Sequence, residues 1–78
     1  MIKELDCVAL ATDLPDYGLA VDDVGAVVHV FEGGRGYQVE FATFDGRTVA
    51  VAKLSAHQIR PLGDKEIHHA RAFEPAAR

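Results

Sequence analysis

The chain has 78 residues, of which 49% are hydrophobic, and it carries a formal net charge of −4 at pH 7. This length allows one small domain with a narrow core, and the apolar fraction argues against disorder. An acidic surface repels phosphate backbones, so the net charge disfavours general nucleic-acid binding. Cys7 is the single cysteine. It excludes an intramolecular disulfide, and its place at the start of an apolar stretch predicts a buried, inert thiol.

The N-terminal segment MIKELDCVAL lacks the long apolar region of a secretory signal. No apolar run approaches the roughly 20 residues that a membrane helix needs. We therefore expect a cytoplasmic protein that does not bind membranes.

The dominant hydrophobic period is two, which predicts β-strands. The predicted strands, in chain order, are 7–12, 24–31, 37–43, 47–54 and 59–62. A long first loop contains DLPDYG, whose Pro, Asp and Gly residues are typical of turns. Asp45-Gly46 predicts a tight hairpin, and Ser55 is suited to cap a single helical turn over 55–58.

Five short strands in this order predict an all-β fold, a small five-stranded SH3-like barrel over residues 1–62. In the third strand, Tyr37, Val39 and Phe41 should point inward. A C-terminal tail, residues 63–78, follows the barrel. Its helix-prone middle repeats Ile67, Ala70 and Phe73 every three residues, and Pro75 would stop a helix. The tail is thus expected to pack as a short helix, to contact a partner, or to fray.

Four segments together carry a specific resemblance: DLPDYGL, DVGAVVHV, YQVEF followed by GRTVAV, and the closing IRPL. From about Ile2 to Leu62 the chain resembles a bacterial domain-of-unknown-function family, numbered 4926. The resemblance implies an SH3-like barrel of uncharacterised role. Members are small stand-alone bacterial proteins, sometimes encoded beside toxin-like genes, which suggests an antitoxin or immunity role. The family supplies no established catalytic residues.

The glycine cluster GGRG, residues 33–36, raises the question of a phosphate-binding loop. Such a loop needs its glycines between a strand and a helix. GGRG is instead followed by a strand pattern, and no Lys-Ser/Thr pair follows it. We interpret it as a connection between strands with Arg35 exposed at its tip.

Acidic residues gather in the first loop, but their spacing matches no calcium-binding loop. They are Asp13, Asp16, Asp22 and Asp23. Turn formation, solubility and capture of a basic partner are the alternatives. The four histidines, His29, His57, His68 and His69, do not form a ligand set with one cysteine. We predict no metal site and no cofactor.

Catalysis would require a nucleophile, a base and an orienting group within reach of one another. The Ser55-x-His57 spacing carries no mechanism by itself, and a barrel this small offers no evident cleft. We predict that the protein is not an enzyme.

Binding is the class of function that these exclusions leave. The first loop and the next turn of SH3-like barrels tend to lie on one side of the barrel. The candidate partner-binding residues there are Asp16, Tyr17, Asp22, Asp23, Arg35 and Tyr37. Tyrosine suits interfaces. Covering the core is an equal alternative for Tyr17 and the favoured interpretation for Tyr37.

The leading prediction is a non-enzymatic protein–protein interaction module whose partner is another protein, for example a toxin with a basic active-site surface. DVGAVVHV also resembles a strand of small barrels in translation and transcription proteins, so a nucleic-acid or ribosome-associated barrel is an alternative. An accessory domain of a larger enzyme assembly is another. The Ala- and Val-rich strand faces could also pair in a homodimer.

Overall fold

A computed structural model describes residues 2–74 and contains five strands in one antiparallel sheet. The strands are β1 (Cys7–Leu10), β2 (Val24–Phe31), β3 (Gly36–Ala42), β4 (Thr48–Leu54) and β5 (Ile59–Pro61). Short 3₁₀ turns lie at Pro15–Tyr17, Glu32–Gly34 and Ala56–Gln58. The all-β prediction is confirmed, and the predicted strand ends differ from the observed ones by at most two residues. No helix in residues 2–74 is both long enough and apolar enough to cross a membrane.

The strands follow the order β4-β3-β2-β1-β5, with every neighbouring pair antiparallel. The two outer strands, β4 and β5, share no ladder within residues 2–74. Leu54 of β4 and Ile59 of β5 nevertheless belong to the same buried cluster as Val8 of β1 and Val27 of β2. Because one core receives side chains from all five strands, the sheet curves around it.

β3 supplies the centre of this core, as its alternating sequence predicts. Tyr37, Val39 and Phe41 are all buried, with exposed fractions of 6%, 0% and 2%. The intervening Gln38 and Glu40 are only half-buried. β3 pairs with β2 on one side and with β4 on the other. Its inward residues therefore contact side chains from both neighbours.

The set of β2 positions that point into the core shifts by one residue part of the way along the strand. Gly25 and Val27 are buried, and the ladder to β3 then shifts register between Val27 and His29. Beyond this bulge, Val30 packs against the core while Val28 and His29 are exposed. A bulge inserts one extra residue, so strict alternation does not hold over the whole of β2.

Cys7 is exposed, which contradicts the predicted buried thiol. Val8 and Leu10 point into the core from β1, and both are fully buried. Since successive side chains of a strand point to opposite faces, Cys7 at the first position of β1 points away from that core.

The glycine cluster connects two strands, as predicted. Residues 32–34 form a 3₁₀ turn, and β3 begins directly at Gly36. Gly33 and Gly34 have φ angles of 66° and 92°. These lie in the left-handed region that glycine adopts at little cost. Arg35 is exposed, also as predicted.

The other predicted turns are in place. Gly46 has a φ of 89°, and its N–H donates to the carbonyl of Thr43 at 3.0 Å. Ser55 stands at the N-cap position of the last 3₁₀ turn. Its N–H donates to the side-chain oxygen of Gln58 at 2.9 Å, which fixes the entry to β5.

The tail contains no helix in residues 63–74, the part that the structure describes. Residues 63–72 are exposed, and only Phe73 of the described tail is partly buried, so the expected packed helix is not observed. Ile67 is 93% exposed, whereas Phe73 packs against the core, so the three-residue apolar repeat does not form a buried face. A helix this short is marginal in water unless packing supports it. Pro75 lies outside the described residues.

We expect Gly25→Ala to destabilise the fold. A Cβ atom at Gly25 would lie 2.7 Å from a methyl of Val39, 2.8 Å from the ring of Phe41 and 2.8 Å from the carbonyl of Glu40. Overpacking of this kind costs about 1–3 kcal/mol. Urea denaturation should show a loss of that size in the free energy of unfolding.

Gly36→Ala is the matched control. Its Cβ would meet the carbonyl of Leu54 at 3.5 Å and the ring of Phe31 at 3.7 Å, which are ordinary contacts. Because glycine is a poor strand residue, this change should be neutral or should stabilise by up to about 1 kcal/mol. Equal losses in the two variants would contradict the packing argument for Gly25.

Candidate functional site

Acidic and basic residues are segregated along the chain. Residues 4–34 contain seven acidic residues and no Lys or Arg. Residues 35–78 contain seven basic residues and five acidic ones. The fold brings two of those arginines, Arg60 and Arg71, onto the acidic first half.

The acidic loop, residues 11–23, joins β1 to β2 and has a defined shape. Leu14 and Leu19 exchange backbone hydrogen bonds of 2.9 and 3.1 Å across the Pro15–Tyr17 turn. Gly18 closes that turn with a φ of 73°. Leu19 is buried in the core and so anchors the loop on the sheet.

Two aspartates stabilise the loop from within. The Oδ1 of Asp13 accepts the N–H of Val21 at 2.9 Å. The Oδ2 of Asp23 accepts the N–H of Ala20, also at 2.9 Å. Both contacts match turn formation, one of the alternatives that the sequence leaves open for these residues.

Asp22 occupies a turn position that most residues avoid. Its φ is 75°, and the N–H of Asp23 donates to the carbonyl of Ala20 at 3.0 Å across it. Aspartate tolerates this left-handed conformation better than most non-glycine residues. The Asp22 carboxylate accepts a hydrogen bond from Nη2 of Arg60 at 3.1 Å.

Arg60 of β5 links the acidic loop to the tail. Its Nη1 donates to both carboxylate oxygens of Glu66, at 2.8 and 3.0 Å. Glu66 also accepts the N–H of Gly63 at 2.7 Å. The Gly63 N–H and then Arg60 lower the pKa of Glu66. Because these groups lie at the surface, the ion pairs orient the tail more than they stabilise the fold.

Arg71 of the tail occupies what we term the guanidinium site, which comprises the Asp23 carboxylate and the Gly18 carbonyl. Its Nε donates to Oδ1 of Asp23 at 2.9 Å, and its Nη2 donates to Oδ2 at 2.5 Å. Nη2 also donates to the carbonyl of Gly18 at 3.1 Å. This two-pronged geometry suits a guanidinium and a carboxylate.

The electrostatics of Asp23 follow from these contacts. The hydrogen bond from Arg71 lowers the pKa of the Asp23 carboxyl below its ordinary value, and the N–H of Ala20 acts in the same direction. Partial burial opposes both effects. The Asp23 side chain is 18% exposed and that of Arg71 is 39% exposed, so the pair is half shielded from water.

An open groove of about 430 Å³, which we call the tail groove, lies beside the guanidinium site. Its walls are the end of the acidic loop, the β3–β4 hairpin and tail residues 69–73. Leu19 and Phe41 contribute to it from the core, and Phe44 contributes from the hairpin. Phe44 is 96% exposed, so the groove has an aromatic residue open to solvent on one side.

The structure brings only some of the predicted partner-binding residues together. Asp16, Tyr17, Asp22 and Asp23 share the acidic loop, where Tyr17 is 44% exposed. Arg35 and Tyr37 lie beyond the other end of β2. Eight strand residues span about 25 Å when extended, and no ion pair joins Arg35 to these aspartates within residues 2–74. Tyr37 is buried, so it serves the core.

Sequence reasoning missed Arg60, Arg71 and Phe73 as part of this site. Arg71 and Phe73 are two residues apart, which is the spacing of side chains that share one side of an extended chain. Reading the tail as helix-prone obscured that signal. The segregation of charge between the two halves of the chain was a second signal that could have pointed to the arginines.

The histidines do not assemble into a site. His29 lies 3.7 Å from Glu4 and packs its ring edge-on against Phe31. His57 lies in the last 3₁₀ turn, and His68 and His69 lie in the tail. Within residues 2–74, no group of three or more His, Cys, Asp or Glu side chains could hold a metal ion.

We expect Asp13→Ala to loosen the acidic loop, because it removes the acceptor of the Val21 N–H. The loss should be about 1 kcal/mol of unfolding free energy, typical of one hydrogen bond. Amide exchange of Val21 should also accelerate. Asp16→Ala is the control, since Asp16 is exposed in the same loop. It should change stability by less than about 0.5 kcal/mol, and an equal loss there would contradict the assignment.

Docking of the tail should be lost in acid. The folded-state pKa of Asp23 lies below the ordinary value of 3.8. The ion pair between Asp23 and Arg71 therefore contributes fully to tail docking above that pH. Its contribution is lost as pH falls through the lowered pKa of Asp23. An NMR titration of the Ala20 and Phe73 resonances should show this release. In Arg71→Ala, Asp23 should titrate closer to its ordinary pKa; an unchanged pKa would contradict the pairing.

Comparison with known proteins yields one match. The sequence profile of a family described as "Domain of unknown function (DUF4926)" matches residues 4–61. No curated protein and no solved structure matches the chain. The matched segment spans well over half of the chain, includes all five strands and the acidic loop, and ends before the tail. The chain belongs to the DUF4926 family.

Proposed function

We propose that this chain is a non-enzymatic protein–protein interaction module whose acidic loop binds a basic segment of another protein. The observation that carries the proposal is the guanidinium site. Asp23 and the Gly18 carbonyl together accept three hydrogen bonds from Arg71. The loop is therefore shaped to hold an arginine side chain.

The remainder of the acidic loop suits the same partner. Asp16, Tyr17 and Asp22 are all exposed on this loop. Negative charge on one loop accelerates the encounter with a basic surface and excludes acidic ones. An accessible tyrosine adds contact area with few rotamers to fix.

The architecture supports a binding role. We assign the fold to the SH3-like barrels, in which a curved five-stranded sheet presents loops to partners. The strand order β4-β3-β2-β1-β5 and the 3₁₀ turn before β5 support that assignment. The tail groove is open, and Asp22, Asp23 and Arg71 in its lining are engaged in ion pairs, which favours binding over catalysis.

A cytoplasmic antitoxin or immunity-type protein is the specific role that we propose. Its partner would be a small bacterial toxin with a basic active-site surface, which the acidic loop would cover. The support is the charge of the loop together with the toxin-like gene neighbours that the family resemblance implies.

A nucleic-acid or ribosome-associated role has weaker support. Arg60 and Arg71 are both engaged by carboxylates, and Lys53 lies over the ring of Phe31 at 4.8 Å. Fewer cations are thus available to a phosphate backbone. An accessory subunit of a larger enzyme would use the same acidic loop, and an adjacent gene for an incomplete enzyme would favour that role.

Affinity capture from the native host tests the proposal. The wild-type protein should retain one dominant protein partner, and retention should fall as salt rises from 50 to 300 mM because the contact is electrostatic. The loop variant Asp16→Asn with Asp22→Asn should retain at least tenfold less of that partner. Asparagine keeps the left-handed conformation that position 22 requires.

The control is Asp64→Asn with Glu74→Gln, which makes the same change in net charge outside the acidic loop. It should retain the partner as the wild type does. Equal retention by the loop variant, or a captured species that nuclease removes, would overturn the proposal.

A further inference from the structure

We infer that the guanidinium site and the adjoining wall of the tail groove, which the acidic loop and the β3–β4 hairpin form, are one recognition site for an extended segment with the pattern arginine–any residue–aromatic. Tail residues 71–73 occupy this site within the same chain and act as a displaceable strap. The inference rests on the proposed function, since it names the kind of segment that a partner would present to the acidic loop.

Arginine is the residue that the site fits. Two of the hydrogen bonds from Arg71 reach the two oxygens of Asp23, and a third reaches the carbonyl of Gly18. A planar guanidinium can reach three acceptors at once from two of its nitrogens. A lysine ammonium has neither the fork nor the reach, so the site should discriminate against it.

The place of the aromatic residue in the pattern follows from the two-residue spacing of Arg71 and Phe73. In an extended segment, residues two apart point to the same side. Arg71 and Phe73 both line the tail groove, and Phe73 packs against the core cluster that includes Leu19 and Phe41. An apolar ring two residues after the arginine thus covers apolar surface beside the ion pair.

The strap is held weakly enough to be displaced. Arg71 is 39% exposed, and Phe73 is only partly buried. Ile67 is 93% exposed and contributes little to docking. Partly exposed ion pairs are worth little, and ordering residues 63–74 opposes docking through lost chain entropy. A partner segment that is already ordered would avoid that cost.

The site and the strap belong to different parts of the chain. The family match ends at residue 61, so the acidic loop and the β3–β4 hairpin lie within the matched domain. Arg71 and Phe73 lie beyond it. The matched domain therefore carries the guanidinium site, the tail supplies one occupant, and the hydrogen-bond geometry of the site selects arginine in any other occupant.

A peptide titration tests this inference on the full-length protein. The receptor is Arg71→Ala with Phe73→Ala, which empties the site, and the probe is a synthetic peptide of residues 66–74. We expect the peptide to shift the amide resonance of Ala20, whose N–H donates to Asp23. Binding to the wild type should be at least tenfold weaker, because its own tail occupies the site.

Two altered peptides define the specificity. Replacing the residue that corresponds to Arg71 with lysine or alanine should weaken binding to the emptied receptor at least tenfold. Equal binding of these peptides, equal binding of the original peptide to both proteins, or no binding to a folded receptor at millimolar peptide would overturn the inference. If the double variant does not fold, Arg71→Ala alone serves as the receptor, since it retains Phe73.

Light scattering distinguishes a tail that docks on its own chain from a tail that docks on a second copy. The wild type should be monomeric at the concentrations used for NMR. If the wild type is a dimer and the Arg71→Ala, Phe73→Ala variant is not, the tail of a second copy occupies the site. That result would overturn the inference that the tail docks on its own chain. The peptide test can fail while capture of the protein partner still depends on Asp16 and Asp22. In that case only this inference is wrong, and the proposed function stands.

Discussion

Asp23 joins three parts of the molecule. Its carboxylate accepts the N–H of Ala20 within the acidic loop and the guanidinium of Arg71 from the tail. The backbone carbonyl of Asp23 accepts the N–H of Leu10, which ties the same residue to β1. The shape of the loop, the docking of the tail and the accessibility of the tail groove therefore depend on one residue.

This arrangement explains why an acidic protein with eight basic residues presents a negative loop. The fold does not neutralise the acidic half evenly. Arg60 and Arg71 meet Asp22 and Asp23 at one end of the loop, while Asp16 stays exposed. In the interaction that we propose, this partly satisfied charge recruits a basic partner, and the internal arginine sets the affinity that a competing segment must exceed.

Local chemistry made much of the fold predictable. Alternation placed Tyr37, Val39 and Phe41 in the core, and the sequence Asp45-Gly46 marked the hairpin. The strand pattern after the glycine cluster identified a turn rather than a phosphate loop. These features depend on residues within a few positions of one another, where side-chain period and backbone preference act directly.

The strands, the turns, the acidic character of the first loop and membership of the DUF4926 family can be read from the sequence, because each is encoded in local composition or in contiguous motifs. The exposure of Cys7, the register shift within β2 and the non-helical path of residues 63–74 depend on tertiary structure. It also decided that Arg71 meets Asp23, a contact between residues far apart in the chain. Such contacts depend on how the sheet curves and on which bulge sets its register, so no local pattern specifies them.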